Sequence, residues 1–161
     1  DFTKLSDTAT QVTAGTDETA NMDSLISAVN EDYEVNGLAL SKTWANSLRK
    51  LRVPSTGMRL YPEIPLNLQT TTVEGLTAAT SGTVSGRRAT EATKVLAFIG
   101  DFNMIRWGMI RDITAELIPY GDPDQSGVDL KAHNQIAYRT EAVLAYSVLD
   151  PRAFAVLKKA A

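Results

Sequence analysis

Apolar positions fall at helical spacing in the first third of the chain and at strand spacing in the last third. Met22, Leu25, Ile26, Val29 and Tyr33 follow i, i+3, i+4, i+7 and i+11, so one face of a helix carries all five, and Gly37 marks its end. Leu38-Ala39-Leu40 is a short apolar run that leads to Ser41, a residue whose hydroxyl suits a helix N-cap. Trp44, Leu48 and Leu51 then repeat at helical spacing until Pro54 stops the helix. Before all of this, residues 1–20 are rich in Thr, Ser and Asp and place few apolar groups at any period. They bury too little to offset the entropy of ordering, and the pattern predicts a flexible lead-in ahead of a unit spanning 21–161.

From Pro54 to Thr93 the texture is that of loops, with Thr70 to Val73 as the only β-rich run before the Ser/Thr/Gly stretch 80–86. Val95 to Ile99 has the composition of a buried strand, closed by Gly100-Asp101. Residues 104–118 fit a helix through Ile105, Met109, Ile113 and Leu117, and fit alternation once Trp107 and Ala115 are added; Gly108 and the β-branched bias favour strands. Further on, Ile136, Tyr138, Ala142, Leu144, Tyr146 and Val148 alternate with Gln135, Arg139, Glu141 and Ser147, which predicts a long half-exposed strand. Asp150-Pro151 then predicts the start of a short terminal helix carrying Phe154 and Leu157. Nothing in the pattern predicts a parallel βαβ series. The expected class is α+β, with helices early and an antiparallel sheet late.

Composition narrows the functions open to such a fold. With 161 residues, 43% hydrophobic and 22% charged, the chain buries a core without help from disulfides or metals. Cysteine is absent, which removes thiol nucleophiles, iron–sulfur clusters and Cys-based zinc sites. No apolar run approaches the roughly 20 residues of a membrane-spanning helix. The net charge of −3 and the scattered bases argue against a nucleic-acid groove. Arg49, Lys50 and Arg52 fall at a helix end, where positive charge complements the exposed carbonyls, so that group has a structural explanation. The chain opens on Asp1 without an initiator Met, and residues upstream of it are expected.

Individual motifs lead to no catalytic, cofactor or metal assignment. His133 is the sole histidine, and neither a zinc site nor a Ser-His-Asp triad can rest on it alone. Asp122-Pro123-Asp124-Gln125-Ser126-Gly127 opens like a calcium loop, but its twelfth position is His133 where a bidentate Glu is needed, so a solvated turn is expected. Gly82 to Arg88 places three residues between its glycines and follows them with Arg, which breaks the P-loop spacing and leaves a connecting loop. Arg87 and Arg88 are still where a polyanion or a neighbouring subunit would be sought. Arg139 and Glu141 lie two apart and share one strand face, which is either solvated or a polar contact between subunits.

The order of features from residue 17 onward resembles the major capsid proteins of tailed bacteriophages that share the Hong Kong 97 fold. The resemblance is carried by residues 40–51 (LSKTWANSLRKL), by Gly100-Asp101-Phe102, by Met104 to Ile118 as a strand pair, by Arg139, and by Leu149-Asp150-Pro151-Arg152-Ala153-Phe154. It implies an axial domain plus the C-terminal part of a peripheral domain with a long-stranded antiparallel sheet, and structural roles for Trp44, Leu48, Gly100, Asp101, Phe102, Arg139, Asp150, Pro151, Ala153 and Phe154. The family's N-terminal arm, extended loop and spine helix would precede Asp1, making this a C-terminal fragment to which no crosslinking residue carries over. The function implied is a non-enzymatic phage or prophage shell subunit that forms pentamers and hexamers around double-stranded DNA without reading its sequence. It needs no cofactor or membrane, is assembled in the bacterial cytoplasm and resides in the virion, while the isolated fragment is compatible with a monomer. A shell protein of an encapsulin-type nanocompartment is the alternative. A small ligand-binding or enzymatic domain using the Asp122 or Arg87-Arg88 loop is the alternative from another class.

Overall fold

A computed structural model describes residues 4–29, 31–64, 70–85 and 94–160, without the side chains of Arg111 and Asp112. The chain divides into two compact units: residues 1–104 with 148–161, and residues 105–147. The first contains three helices, α1 (Leu5–Thr8), α2 (Glu18–Ser27) and α3 (Lys42–Lys50). Its strands are β1 (Thr10–Ala14), β2 (Gly37–Ser41), β3 (Thr70–Val73), β4 (Leu76–Ser81), β5 (Val95–Gly100) and β8 (Phe154–Lys159), in the sheet order β1-β8-β5-β2-β4-β3. The second unit is a two-stranded ribbon of β6 (Ile105–Ile118) and β7 (Ala137–Val148).

The central strands are apolar through most of their length because helices cover the sheet. Leu38, Leu40, Ala97, Ile99, Ala155 and Leu157 are all buried, and Met22 and Leu25 of α2 with Trp44 and Leu48 of α3 close over them. Ser41 caps α3 as its chemistry predicts, its Oγ accepting from the Trp44 N–H at 3.2 Å, and Leu51 ends the helix three residues before Pro54. The two helices are tied at a polar point within this apolar layer. Trp44 Nε1 donates to Glu18 Oε2 at 2.6 Å, so the indole buries its ring without stranding its N–H.

Four expectations give way to tertiary context. Where composition predicts a flexible lead-in over residues 1–20, Leu5–Thr8 form a helical turn and Thr10–Ala14 pair in parallel with Ala155–Lys159 of β8. A polar pentapeptide becomes a strand there because a buried neighbour supplies a full ladder. Helix α2 starts earlier and stops sooner than its periodicity implies: Asp17 caps it through the N–H groups of Thr19 and Ala20, and Gly37 opens β2 instead of closing the helix. The terminal helix is absent. Asp150 and Pro151 start only a three-residue 3-10 turn, after which Phe154 to Leu157 enter the middle of the sheet as a continuous apolar strand. The sheet is also mixed, since β2 and β4 pair in parallel and α3 lies on the connection between them.

Packing at β8 carries much of the stability of this unit, because the strand pairs on both sides and is covered by α2. Leu157→Ala is expected to lower unfolding free energy by about 2–5 kcal/mol in chemical denaturation. Leu149→Ala, at an exposed position, should stay within about 0.5 kcal/mol.

Candidate functional site

The chain leaves the six-stranded sheet after Gly100 and returns to it at Phe154, and both crossings are fixed by the same short loop between α2 and β2. Gly100 has φ +154, and a Cβ there would collide with the Ala153 carbonyl and the Phe154 ring, so only glycine lets β5 pass β8 at this separation. Asp101 follows at once. Its N–H donates to the Ala153 carbonyl at 3.0 Å, while its Oδ1 accepts from Asn36 Nδ2 at 2.5 Å and from the Asn103 N–H at 2.9 Å. Asn36 returns the contact, its Oδ1 accepting from the Phe102 N–H at 2.9 Å. The Phe102 ring packs edge-on against Phe154 at 5.6 Å and covers Gly37, where a Cβ would lie 2.6 Å from the ring. Gly-Asp-Phe is therefore a joint: one residue for close approach, one to cap, one to pack.

The returning crossing is built on Asp150. Its Oδ1 accepts from the Arg152 N–H at 2.9 Å, the Arg152 guanidinium bridges both carboxylate oxygens with Nη2 to Oδ2 at 2.7 Å, and Tyr33 OH donates to Oδ2 at 2.6 Å. The guanidinium first, and then the phenol, hold the Asp150 carboxyl below the usual carboxylate range; the same carboxylate pushes the Tyr33 phenol up. Tyr33 and Asn36, three residues apart on one loop, thus each hold one of the two carboxylates. Leu149 N–H, donating to the Met104 carbonyl at 2.9 Å, joins the two crossing strands directly.

Beyond these crossings the ribbon shows what its sequence does not announce. Along β6, Trp107, Met109, Ile113 and Leu117 share one parity, and along β7 so do Tyr138, Leu144 and Tyr146; all are exposed, Trp107 by 75%. Where a strand pair is expected over Met104 to Ile118, Ile105–Ile118 form one 14-residue strand with Gly108 inside it, and β7 is open to solvent along nearly all its length where a half-exposed strand is predicted. Arg139 Nη2 meets Glu141 Oε2 at 2.9 Å on this strand, an exposed pair of small energetic worth.

The remaining expected positions fall in scattered places. Trp44, Leu48, Ala153 and Phe154 are core residues, and Asp150 and Pro151 start the 3-10 turn. Arg87 and Arg88 lie outside the described residues. The Asp122 loop closes on itself: Asp122 accepts from the N–H groups of Ser126 at 3.0 Å and Gly127 at 2.6 Å, with Gln125 and Gly127 at positive φ, as a turn requires. Hydrogen bonding from Ser126, whose N–H donates to Asp124 Oδ1 at 3.3 Å, holds the Asp124 carboxyl low. His133 is exposed, its Nδ1 3.0 Å from the Asp129 carbonyl. Among the described residues no group of three or more His, Asp or Glu converges as a metal site. Among the described residues no helix is long and apolar enough to cross a membrane. Sequence reasoning missed Tyr33 and Asn36 as the holders of the two carboxylates. Their signal was chemical, a phenol and an amide in an otherwise acidic loop, and it carried no spacing that could point to a partner 117 residues away.

The chain thus combines a covered mixed sheet with a long exposed ribbon inserted in sequence between two neighbouring strands. Solved structures share it. A structure from Mycobacterium phage Ogopogo matches 98% of this chain with a TM-score of 0.84 and 35% identity, the chain covering 56% of it. One from Gordonia phage Cozz matches 99% with a TM-score of 0.82 and 31% identity, at 52% of its length. The capsid of an empty GTA particle, computed with C5 symmetry, shares the fold at 16% identity and a TM-score of 0.65 over 95% of this chain and 50% of its own. The chain thus spans about half the length of these relatives. Among curated proteins none matches. The sequence profile of the Phage capsid family matches residues 3–159, and the chain belongs to that family, with the Hong Kong 97-like fold.

The joint predicts two outcomes. Gly100→Ala should cost about 2–4 kcal/mol in chemical denaturation, against about 0.5 kcal/mol or less for Gly108→Ala, whose surroundings are open. Because the Asp150 carboxyl is held below its ordinary 3.8, its contribution is complete above that value and drains as pH falls toward the folded-state value. Wild type should therefore lose more stability than Asp150→Asn between pH 5 and about pH 2, measured by urea midpoints across that range.

Proposed function

We propose that this chain is the shell-forming part of a phage or prophage major capsid protein, whose work is self-assembly and not catalysis. The observation that carries the reading is the ribbon. Two-stranded ribbons are marginal in water by themselves, and this one leaves a row of large apolar side chains exposed, whereas the sheet unit buries a core of its own. Such a surface is of use to a subunit that is completed by further structure. Neighbouring copies and further structure of the same subunit are what we propose covers it. The C5 symmetry of the GTA capsid supports pentamers among the assemblies, with hexamers alongside them in a closed shell.

Double-stranded DNA is the content we propose for the shell, held without sequence-specific contact, since a net charge of −3 gives little grip on phosphate. The virion is the place of residence and the bacterial cytoplasm the place of assembly. Arg139 and Glu141, and Arg87 and Arg88, stay as proposed contacts between subunits.

Expression from the complete reading frame, followed by sedimentation and negative-stain electron microscopy, tests the reading. Capsomers or closed shells are expected. A product that stays monomeric at high concentration, or a reproducible turnover of a small-molecule substrate, would falsify it.

A further inference from the structure

The helical layer over the sheet is divided by charge. Between residues 15 and 36 every charged residue is acidic, Asp17, Glu18, Asp23, Glu31, Asp32 and Glu34; between residues 42 and 60 every one is basic, Lys42, Arg49, Lys50, Arg52 and Arg59. The fold sets the two groups on different halves of the sheet. Helix α2 packs on β1 and β8, whereas α3 packs on β2, β4 and β5. Asp23, Glu31, Glu34, Lys50 and Arg59 are exposed and, among the described residues, form no ion pair.

Complementing the helix end explains Arg49, Lys50 and Arg52, whose Nη1 donates to the Arg49 carbonyl at 3.2 Å and the Leu51 carbonyl at 3.3 Å, but not Arg59. Residues 51–60 form a small hairpin, closed by Val53 N–H to the Met58 carbonyl at 2.9 Å and Leu60 N–H to the Leu51 carbonyl at 3.1 Å, with Gly57 at φ +68 in its turn. Within it Arg52 and Arg59 are paired directly across the strands. Like charges facing each other there are unfavourable for the chain by itself. Exposed Met58 and Leu60 sit beside them. A hairpin that pairs two arginine positions, leaves Arg59 exposed without an ion pair among the described residues and adds apolar contact area suits an acidic surface outside its own chain.

We infer that the basic hairpin after α3 of one copy docks on the acidic loop after α2 of the next, in a head-to-tail contact between copies of this chain. The inference rests on the shell-subunit reading, which supplies the need for a repeated contact. Two different, complementary patches give a heterologous interface, and a heterologous interface repeated by rotation closes into a ring. The opposite charges steer encounter and fix orientation, and like charges meeting in any reversed arrangement reject it. Met58 and Leu60 contribute the apolar part of the contact.

Charge reversal with rescue is the test, performed on the product of the complete reading frame, with folding checked by circular dichroism. Glu31→Lys with Glu34→Lys reverses one side; Lys50→Glu with Arg59→Glu reverses the other. Either pair alone should lower the capsomer yield in native mass spectrometry roughly tenfold or more, because like charges then face each other. All four reversals in one chain should restore the yield to within about twofold, since each interface is again complementary, and equal mixing of the two variants should restore even-membered rings, in which they can alternate. Wild-type yield from either one-sided variant would overturn the contact while leaving the shell reading intact. Loss from the base reversal alone, with no effect of the acid reversal, would also overturn it by assigning the hairpin to another polyanion. If wild type forms no capsomers at all, the shell reading itself is what fails.

Discussion

The fold depends on a single close approach, between Gly100 at the end of β5 and the Ala153 carbonyl before β8. These two strands are neighbours in the sheet, yet the whole ribbon lies between them in sequence. Bringing them together closes a long loop, which costs entropy that the pairing must offset. Strand β8 then pairs with β1 on its other side, so the first strand of the chain also waits on this contact. Asp101 and Asp150 secure the two ends, and Asn36 and Tyr33 secure the aspartates. One loop of modest length thereby fixes where the ribbon begins and ends.

The division of labour between the units follows from how each buries its apolar surface. In the sheet unit, helices supply cover, and the buried set runs without a gap from Met22 and Leu25 through Trp44 and Leu48 to Ile99 and Leu157. In the ribbon, Ile110, Trp107 and Ile113 are all more than two-thirds exposed, and no residue described there is buried. The alternation of Trp107, Met109, Ile113 and Leu117 is of the kind that gives a strand one buried face. Cover from neighbouring copies in a shell, as proposed above, would supply that face.

Local chemistry made part of this legible in the sequence. Ser41 announced the start of α3 and Val95 to Ile99 announced a buried strand, because each depends on neighbours within a few residues, whereas Gly100-Asp101-Phe102 stood out only through the family resemblance. What stayed hidden depends on distant partners. Thr10 to Ala14 has no strand pattern of its own and becomes β1 only because β8 is beside it. Phe154 to Leu157 was masked by the helix-start signal of Asp150-Pro151, although four consecutive apolar residues also fit a central strand. The links from Tyr33 to Asp150 and from Asn36 to Asp101 join residues far apart in the chain, and the charge division of the helical layer acquires meaning only once α2 and α3 are placed on different halves of the sheet.

The central physical claim is that the sheet unit is complete in itself while the ribbon is completed by the assembly, and the two tryptophans report on it separately. Trp44 is 1% exposed in the sheet unit and Trp107 is 75% exposed on the ribbon. Iodide quenching, resolved with Trp107→Phe and Trp44→Phe, compares the 161-residue chain with shells made from the complete reading frame. The account predicts that Trp44 is protected in both, whereas Trp107 is open in the chain and shielded in the shell. A Trp107 quenched as freely in assembled shells as in the isolated chain would contradict it.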